Sequence, residues 1–247
     1  MILEIDLGNS RIKWRLRDDS GRLAGGVAGH QELPLVADEL AALGAVPGEI
    51  WVASVLAGDR DADLSAWCER LWNRQPRFAR TQARCAGVTN GYRDPSQLGV
   101  DRWLALVAAR QACAGPVVVV QAGTAITVDL LRADGVHLGG YIGPGWQLMR
   151  RSLSSDTARV RAAVEPPERL MLEPGRDTVQ AVEAAIASMA LGLVRQGLKW
   201  LPAGPAQTLV AGGDGPLLLE HLPGARLVPE LVLDGLAPVI SADRAPI

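Results

Sequence analysis

Two short glycine turns, one near the start of each half of the chain, constrain the fold more than any other feature of the sequence. In the first half, an apolar stretch at 1–7 runs into Gly8-Asn9-Ser10, and an extended pattern resumes at 11–16. In the second half, four consecutive valines at 117–120 lead into Gly123-Thr124-Ala125. Extended stretches separated by glycine and short polar residues predict β-hairpins. The repetition predicts an α/β chain with an internal structural duplication.

Helices and further strands are predicted after each hairpin. Apolar residues at helical spacing predict helices at 32–43, 61–73, 103–114 and 178–200. Asp61 is predicted to cap the second helix. The longest helix is predicted to bury one apolar stripe, formed by Val179, Val182, Ile186, Met189 and Leu193.

The natural boundary between the halves is Gly115-Pro116, which divides the chain into 1–115 and 116–247. Short apolar runs predict one more strand in each half, at 49–55 and at 207–211. Two α/β halves that face each other across a cleft would bring all of the glycine turns around one ligand.

Composition excludes several classes of protein. With 48% hydrophobic and 21% charged residues, the chain can build a core and is not disordered. A net charge of −2 provides no general footprint for nucleic acid or an anionic membrane. Glu4 and Asp6 interrupt the first apolar run, which excludes a signal peptide there, and no uninterrupted apolar run is long enough for a membrane helix. We therefore expect a soluble, cytoplasmic protein.

The three cysteines, Cys68, Cys85 and Cys113, are an odd number without the spacing of a metal site. We expect them to be buried or half-buried thiols in a reducing compartment.

The first turn carries residues suited to phosphate chemistry. Glu4 and Asp6 share one face of the predicted strand, and a carboxylate in an apolar strand is costly unless it is paired or holds a cation. The turn that follows could offer backbone amides to a phosphate, and Arg11 and Lys13 share a face that could reach the same anion. A carboxylate for hydrated Mg²⁺, amides and a lysine form a sensible nucleotide site. The alternative is an aspartate that caps its own hairpin.

The second turn repeats this chemistry. Glycine at 123 allows close approach of a ligand, the Thr124 hydroxyl can bind a phosphate, and Thr127 and Asp129 share a strand face. An ordinary Gly-Thr hairpin explains the same residues. Gly212-Gly213 after the last strand could let a nucleoside lie against bare backbone. No GxxxxGK[ST] loop occurs and no GxGxxG follows a strand, so any ATP site must be built from these turns.

The segment 90–103 is the most specific feature. It is a loop with Tyr92 that leads into a helix, near whose N-terminus Asp101 can stay ionised and accept a proton from an alcohol. Arg102 offers a fork matched to a carboxylate or phosphate. The alternatives are a helix N-cap for Asp101, a surface residue for Arg102 and a half-buried loop anchor for Tyr92.

Four segments, taken in order, resemble the type III pantothenate kinases: DLGNSRIKW (6–14), NGYRDPSQLGVDRW (90–103), GTAITVDLL (123–131) and GGYIGPG (139–145). The resemblance implies the actin-like ATPase fold, with two ribonuclease-H-like halves facing each other across a nucleotide cleft. It also implies ATP-dependent phosphorylation of pantothenate and a homodimer with active sites at the subunit interface.

Residue roles also follow from this resemblance. Asp101 is the proton acceptor, and Thr124 contacts the nucleotide. The first phosphate-binding turn consists of Asp6, Leu7, Gly8, Asn9, Ser10, Arg11, Ile12 and Lys13, with Asp6 holding Mg²⁺ through water. The pantothenate site is lined by Tyr92, Gly99, Val100, Asp101, Arg102 and Thr178. For Thr178, a capping-box helix start formed by Asp177 and Gln180 is an alternative explanation.

The chain departs from the family pattern at one position. The family often has an aspartate before the second turn that binds a monovalent cation such as K⁺ or NH₄⁺, whereas this chain has Gln121. A glutamine offers a carbonyl oxygen without charge, so a weaker cation site or none is expected. Two rival functions remain open at this point: another small-molecule kinase of the same superfamily, acting on a sugar or short-chain acid, and a non-catalytic regulatory relative.

Overall fold

A computed structural model describes residues 1–56, 58–156, 167–201 and 206–243. Its strands are β1 (Ile2–Leu7), β2 (Ile12–Asp18), β3 (Gly21–Ala28), β4 (Glu49–Ser54), β5 (Arg77–Phe78), β6 (Arg84–Cys85), β7 (Val88–Thr89), β8 (Val117–Ala122), β9 (Ala125–Leu131), β10 (His137–Pro144), β11 (Gln207–Ala211) and β12 (Arg226–Leu227). Its helices are α1 (Leu33–Ala42), α2 (Asp59–Trp72), α3 (Val100–Ala112), α4 (Trp146–Asp156), α5 (Thr178–Leu198), α6 (Gly215–Leu219), α7 (Leu231–Asp234) and α8 (Leu236–Ala242).

The chain forms two compact units, and neither is continuous in sequence. Unit 1 consists of Met1–Ala86, Arg93–Ala108 and Leu231–Ile247, and unit 2 of Gly87–Tyr92 and Ala109–Glu230. The C-terminal segment thus returns to the N-terminal unit. The predicted boundary at Gly115-Pro116 falls inside unit 2 in this division.

Each unit is built on a five-stranded sheet with the same topology. The order is β3-β2-β1-β4-β5 in unit 1 and β10-β9-β8-β11-β12 in unit 2. In both sheets the first three strands of the sheet in chain order form an antiparallel meander, and the last two run parallel to the central strand. The internal duplication that the paired glycine turns predicted is therefore present.

The predicted alternation along β1 is confirmed in unit 1. Leu3, Ile5 and Leu7 are buried in the core, whereas Glu4 lies on the other face. Glu4 is fully buried and forms ion pairs with Arg15 at 2.6 Å and with Arg17 at 2.8 Å. These pairs neutralise a carboxylate that would otherwise be costly to bury.

An ion pair also helps to explain why the C-terminal segment belongs to unit 1. Arg15 contacts Asp234 of α7 at 2.6 Å, and α7 itself packs against β1. The polar face of the first sheet is therefore covered in part by a helix from the far end of the chain.

The longest helix buries a different stripe from the predicted one. Val182 and Ile186 are buried as expected, but Val179 and Met189 are 40% and 54% exposed. Neighbouring residues such as Ala190 and Leu191 complete the buried face instead, and Leu193 packs against it partly buried. The helix is also long and apolar enough to cross a membrane by length and composition alone, although its buried face packs in the core of unit 2.

The second helix starts earlier than predicted. The second helix begins at Asp59 after Gly58, so Asp61 lies inside it, where its carboxylate accepts a hydrogen bond from the Ser54 hydroxyl at 2.5 Å. The prediction that Asp61 caps this helix is wrong, because the side chain is engaged by Ser54 at the end of β4.

The glycine-dense stretch at 135–145 contains a regular strand, β10.

The three cysteines are buried and free, as predicted.

Candidate active site

The first glycine turn is an exposed loop held between two buried residues in unit 1. Asp6 on β1 lies directly opposite Lys13 on β2, and the Gly8 amide closes the turn by donating to the Arg11 carbonyl at 3.2 Å. Asn9, Ser10 and Arg11 are exposed, so they are accessible to a ligand. Leu7 and Ile12 point their side chains into the core, so any contact they make with a ligand involves backbone atoms.

Asp6 lies in an unusual electrostatic environment. Burial raises its pKa from the ordinary value to about 7, while the Lys13 ammonium lowers the pKa and the Asp101 carboxylate raises it further. Asp6 and Asp101, which are distant in sequence, therefore act on each other within unit 1. Perturbed carboxylates of this kind are concentrated at functional sites.

Asp101 lies in the first turn of α3, one residue after the helix begins, and is not its N-cap residue. The third helix begins at Val100, and the Gly99 carbonyl accepts the Trp103 amide at 3.0 Å. The Asp101 Oδ1 accepts a hydrogen bond from the Arg102 amide at 2.8 Å. The N-cap alternative for Asp101 is therefore wrong, and the positive end of the helix dipole favours its ionised form. The surface alternative for Arg102 is also wrong, because that residue is only 4% exposed.

A cavity of about 340 Å³ opens beside the start of this helix in unit 1. Gly99 and Val100 line it, as do Ser54, the last residue of β4, and Arg80 and Thr81 in the loop after β5. Ligands of open α/β sheets bind outside the carboxyl ends of the parallel strands. The Thr81 hydroxyl donates to the Leu98 carbonyl at 2.8 Å and secures the loop that precedes the helix.

Ser54, Arg80 and Thr81 were not identified from the sequence. Their common feature is that each lies at the end of a parallel strand or within three residues after it. The sequence could not indicate this for Arg80 and Thr81, because a strand of two residues such as β5 shows no alternating pattern.

The second glycine turn, in unit 2, is supported from two sides by other glycines. The Gly145 amide donates to the Thr124 carbonyl at 3.0 Å, and a Cβ at this glycine would lie 1.9 Å from the Gly123 carbonyl oxygen. A Cβ at Gly212 would lie 2.0 Å from the Ala122 carbonyl oxygen, and its φ of +92° also favours glycine. The turn at 123–125 and the Gly212-Gly213 turn are thus neighbours within unit 2.

Tyr92 and Thr178 also belong to unit 2. Tyr92 is half-buried, and its ring stacks on His137 with 5.9 Å between centroids. Thr178 is exposed at the first position of α5. The predicted capping-box-like start is present in part. Asp177 Oδ1 accepts the Gln180 amide at 2.8 Å, whereas Gln180 Oε1 accepts the amide of Arg176, one residue before the N-cap, at 3.0 Å.

Asp129 has a different environment from the glycine turn that precedes its strand. It is fully buried and lies 3.0 Å from the His137 ring.

In the described residues, no group of three or more His, Cys, Asp or Glu side chains could hold a metal ion without further ligands. A metal ion beside the nucleotide would therefore depend on one or two carboxylates together with water and phosphate oxygens.

Comparison with known proteins identifies relatives along nearly the whole chain. The model of the type III pantothenate kinase family matches residues 2–199, a range that contains every predicted site residue from Asp6 to Thr178. A type III pantothenate kinase from Pseudomonas aeruginosa (strain LESB58) is 41% identical over 244 residues, which cover 96% of this chain and 98% of the relative.

Solved structures agree on the architecture. A Sinorhizobium meliloti protein assigned as a 2-dehydro-3-deoxygalactonokinase aligns with a TM-score of 0.59 at 16% identity and 100% coverage of both chains. The activator of the 2-hydroxyisocaproyl-CoA dehydratase from Clostridium difficile, with bound ADPNP, aligns with a TM-score of 0.54 at 10% identity, covering 98% of this chain and 94% of that one. The likeness concerns the fold alone, and it confirms the predicted actin-like architecture with two ribonuclease-H-like halves.

Proposed function

Because this chain belongs to the type III pantothenate kinase family, we propose that it transfers the γ-phosphoryl group of ATP to the terminal hydroxyl of pantothenate. The product is 4′-phosphopantothenate, and the reaction is the first step of coenzyme A biosynthesis. The observation that carries this function is the 41% identity over nearly the full length of both proteins.

Asp101 is the residue proposed to accept the proton of the substrate hydroxyl. Its place at a helix N-terminus keeps a negative charge favourable, and its carboxylate already receives the Arg102 amide. Phosphoryl transfer passes through a loose transition state, so positioning of the hydroxyl contributes as well as proton removal. Lys13 and backbone amides of the exposed residues Asn9 to Arg11 would stabilise charge on the moving phosphoryl group.

The residues proposed to contact pantothenate are those that match the family's substrate site: Tyr92, Gly99, Val100, Asp101, Arg102 and Thr178. The cavity beside Gly99 and Val100 supports this assignment, since it opens at the ligand-binding edge of the sheet. The exposed guanidinium of Arg80 lines the same cavity and would suit the carboxylate of the substrate.

Asp6 is the residue proposed to hold Mg²⁺ through water, and Thr124 is proposed to contact the nucleotide. The fit of Asp6 rests on its half-burial and on the nearby Asp101 carboxylate, which together leave its negative charge poorly compensated. When bound, Mg²⁺ supplies neutralisation of phosphate charge and commonly uses one or two carboxylates beside its waters.

A weak site for a monovalent cation is proposed at Gln121. Gln121 on β8 pairs with Thr127 on β9, at the end of the strand that leads to the second turn. The Thr127 hydroxyl is buried and has no hydrogen-bond partner in the described part of the chain. An amide oxygen and this hydroxyl suit K⁺ or NH₄⁺, but neither carries charge.

Potassium should therefore activate the enzyme only at high concentration, and Gln121→Asp should lower the concentration needed for half-maximal activity, because a carboxylate attracts the cation more strongly. Activity is measured at fixed Mg²⁺ and ATP while K⁺ or NH₄⁺ replaces a large organic cation at constant ionic strength. If neither the natural chain nor Gln121→Asp responds to K⁺, the proposed site is wrong.

A homodimer is proposed on the basis of the family and of the exposed apolar surface of unit 2. The edge strand β10 presents Leu138 at 43% and Ile142 at 65% exposure. Exposed apolar edge strands are commonly covered in a native assembly. The net charge of −2 favours neither nucleic acid nor an anionic membrane as a partner, and a cytoplasmic location is proposed.

The function is tested by coupling ADP release to each substrate in turn. Pantothenate should support turnover, whereas glucose and acetate should give no more than the background hydrolysis of ATP, because the segment from Tyr92 to Trp103 matches the pantothenate kinases. Turnover with a sugar or with acetate alone would favour another kinase of the superfamily. Nucleotide binding without turnover on any substrate would favour a regulatory relative.

A further inference from the structure

A fully buried acid–imidazole pair lies beneath Tyr92 in unit 2. Asp129 on β9 and His137 on β10 both have 0% exposed side chains, and Oδ1 lies 3.0 Å from Nε2. The Tyr92 ring lies over the imidazole, with an angle of 14° between the two planes and 5.9 Å between their centroids. His137 thus contacts the buried Asp129 carboxylate through Nε2 and the half-buried Tyr92 ring through its face.

Burial of this polar pair costs desolvation free energy that apolar side chains in the same place would not. A buried carboxylate costs free energy unless a partner compensates it, and apolar residues of similar volume often stabilise a protein as well or better. The other ring nitrogen of His137, Nδ1, is buried and has no hydrogen-bond partner in the residues that the structure describes. Asp129 is therefore the polar contact that defines the plane of the imidazole.

The backbone before Tyr92 is tied to the same place. The Thr89 amide donates to the Gly135 carbonyl at 2.9 Å, and a Cβ at Gly91 would lie 1.8 Å from the His137 carbonyl oxygen. The Tyr92 amide donates to the Asn90 side chain at 3.0 Å. With the main chain held in this way, the remaining freedom of Tyr92 is rotation of its side chain, and the imidazole plane restricts that rotation.

We propose that Asp129 and His137 are positioning residues, which hold the ring of Tyr92 in the orientation that binds pantothenate. The inference rests on the proposed function, in which Tyr92 contacts that substrate. A ring that is already oriented loses less side-chain entropy when the ligand binds, so the pair should act on the affinity for pantothenate. Stacked aromatic rings prefer such parallel, offset arrangements.

The test compares two double variants that differ only in the presence of an aromatic ring. Asp129→Leu/His137→Phe removes the polar pair but keeps a flat ring under Tyr92, whereas Asp129→Leu/His137→Leu removes both. We expect the KM for pantothenate to be about tenfold higher in the second variant than in the first, since an unrestrained ring must be ordered on binding. The kcat and the KM for ATP should agree within about twofold, because neither residue is proposed to contact the nucleotide.

Equal KM values for pantothenate in these two variants would overturn the inference. Should either double variant fail to fold, Asp129→Asn and Asp129→Ala make the same comparison with His137 unchanged, since asparagine keeps an acceptor for the imidazole and alanine does not. The alanine variant is then expected to have the higher KM, and equal values would again count against the platform.

Tyr92→Ala separates a failure of this inference from a failure of the proposed function. Alone, it should raise the KM for pantothenate, and in its background the phenylalanine and leucine variants at 137 should become equivalent. If Tyr92→Ala leaves that KM unchanged, the substrate role of Tyr92 is wrong, and the inference falls with it. If the difference at 137 persists without the tyrosine ring, His137 acts elsewhere and the inference alone is wrong.

Discussion

Replacement of Asp101 by asparagine is expected to lower kcat by about 10²–10⁴-fold, the usual contribution of a positioned general base. The asparagine keeps the size of the side chain and can still accept the Arg102 amide, but it cannot take a proton from the substrate. Because Asp101 is not proposed to contact the nucleotide, the affinity for ATP should change by less than about threefold. Pantothenate-dependent ADP release measures kcat, and isothermal titration with a non-hydrolysable nucleotide measures affinity.

Asp94→Asn is the matched control for Asp101→Asn. Asp94 lies in the same specific segment and is exposed, and its carboxylate accepts from the Ser96 amide and hydroxyl at 3.0 and 2.7 Å. It is not assigned to the site, so its replacement should leave kcat within about twofold. An Asp101→Asn enzyme with undiminished kcat would remove Asp101 from the mechanism.

Replacement of Asp6 by asparagine is expected to abolish most activity and, at the same time, to stabilise the ligand-free protein near pH 8. Burial raises the pKa of Asp6 to about 7, whereas an unfolded aspartate titrates near 3.8. The folded state therefore binds the extra proton between these values, and stability falls as the pH rises from about 4 to about 7. Asparagine carries no charge and escapes this loss. After allowance for solvent screening, the gain is about 1–3 kcal/mol.

The pH dependence makes the Asp6 prediction specific. Thermal unfolding should show a higher Tm for Asp6→Asn by several degrees at pH 8, and the difference should vanish near pH 4, where aspartate is protonated in both states. Asp38→Asn, at an exposed position on α1, is the control and should change Tm little at either pH. A variant that is less stable than the natural chain at pH 8 would show that Asp6 is well compensated in the absence of ligand.

The stability cost at Asp6 has a functional interpretation. A carboxylate that lies near another carboxylate and is poorly compensated without ligand is suited to attract a cation. Active sites often retain residues that lower stability because activity depends on them. Activity and thermal stability should therefore change in opposite directions in Asp6→Asn, since the charge that supports the reaction also destabilises the ligand-free protein.

Features that depend on residues close in sequence could be predicted from the sequence. The alternation of Leu3, Glu4 and Ile5 decides which face of β1 enters the core, because successive side chains of a strand point to opposite sides. The helix start at Asp177 was recognisable for the same reason, since the N-cap carboxylate and the Gln180 amide that it accepts are three residues apart. The two glycine turns indicated a duplicated fold, because each sits between stretches that can only be extended.

Features that depend on distant residues were decided by the tertiary structure. The burial of Arg102, the coupling of Asp6 to Asp101 and the stacking of Tyr92 on His137 each join residues whose separation along the chain says nothing about their distance in space. The exposure of Met189 on α5 likewise depends on which side of the helix the sheet covers. Local periodicity specifies what each element can bury, whereas the packing of sheets and helices decides which side chains meet, and the chemistry of the site depends on those meetings.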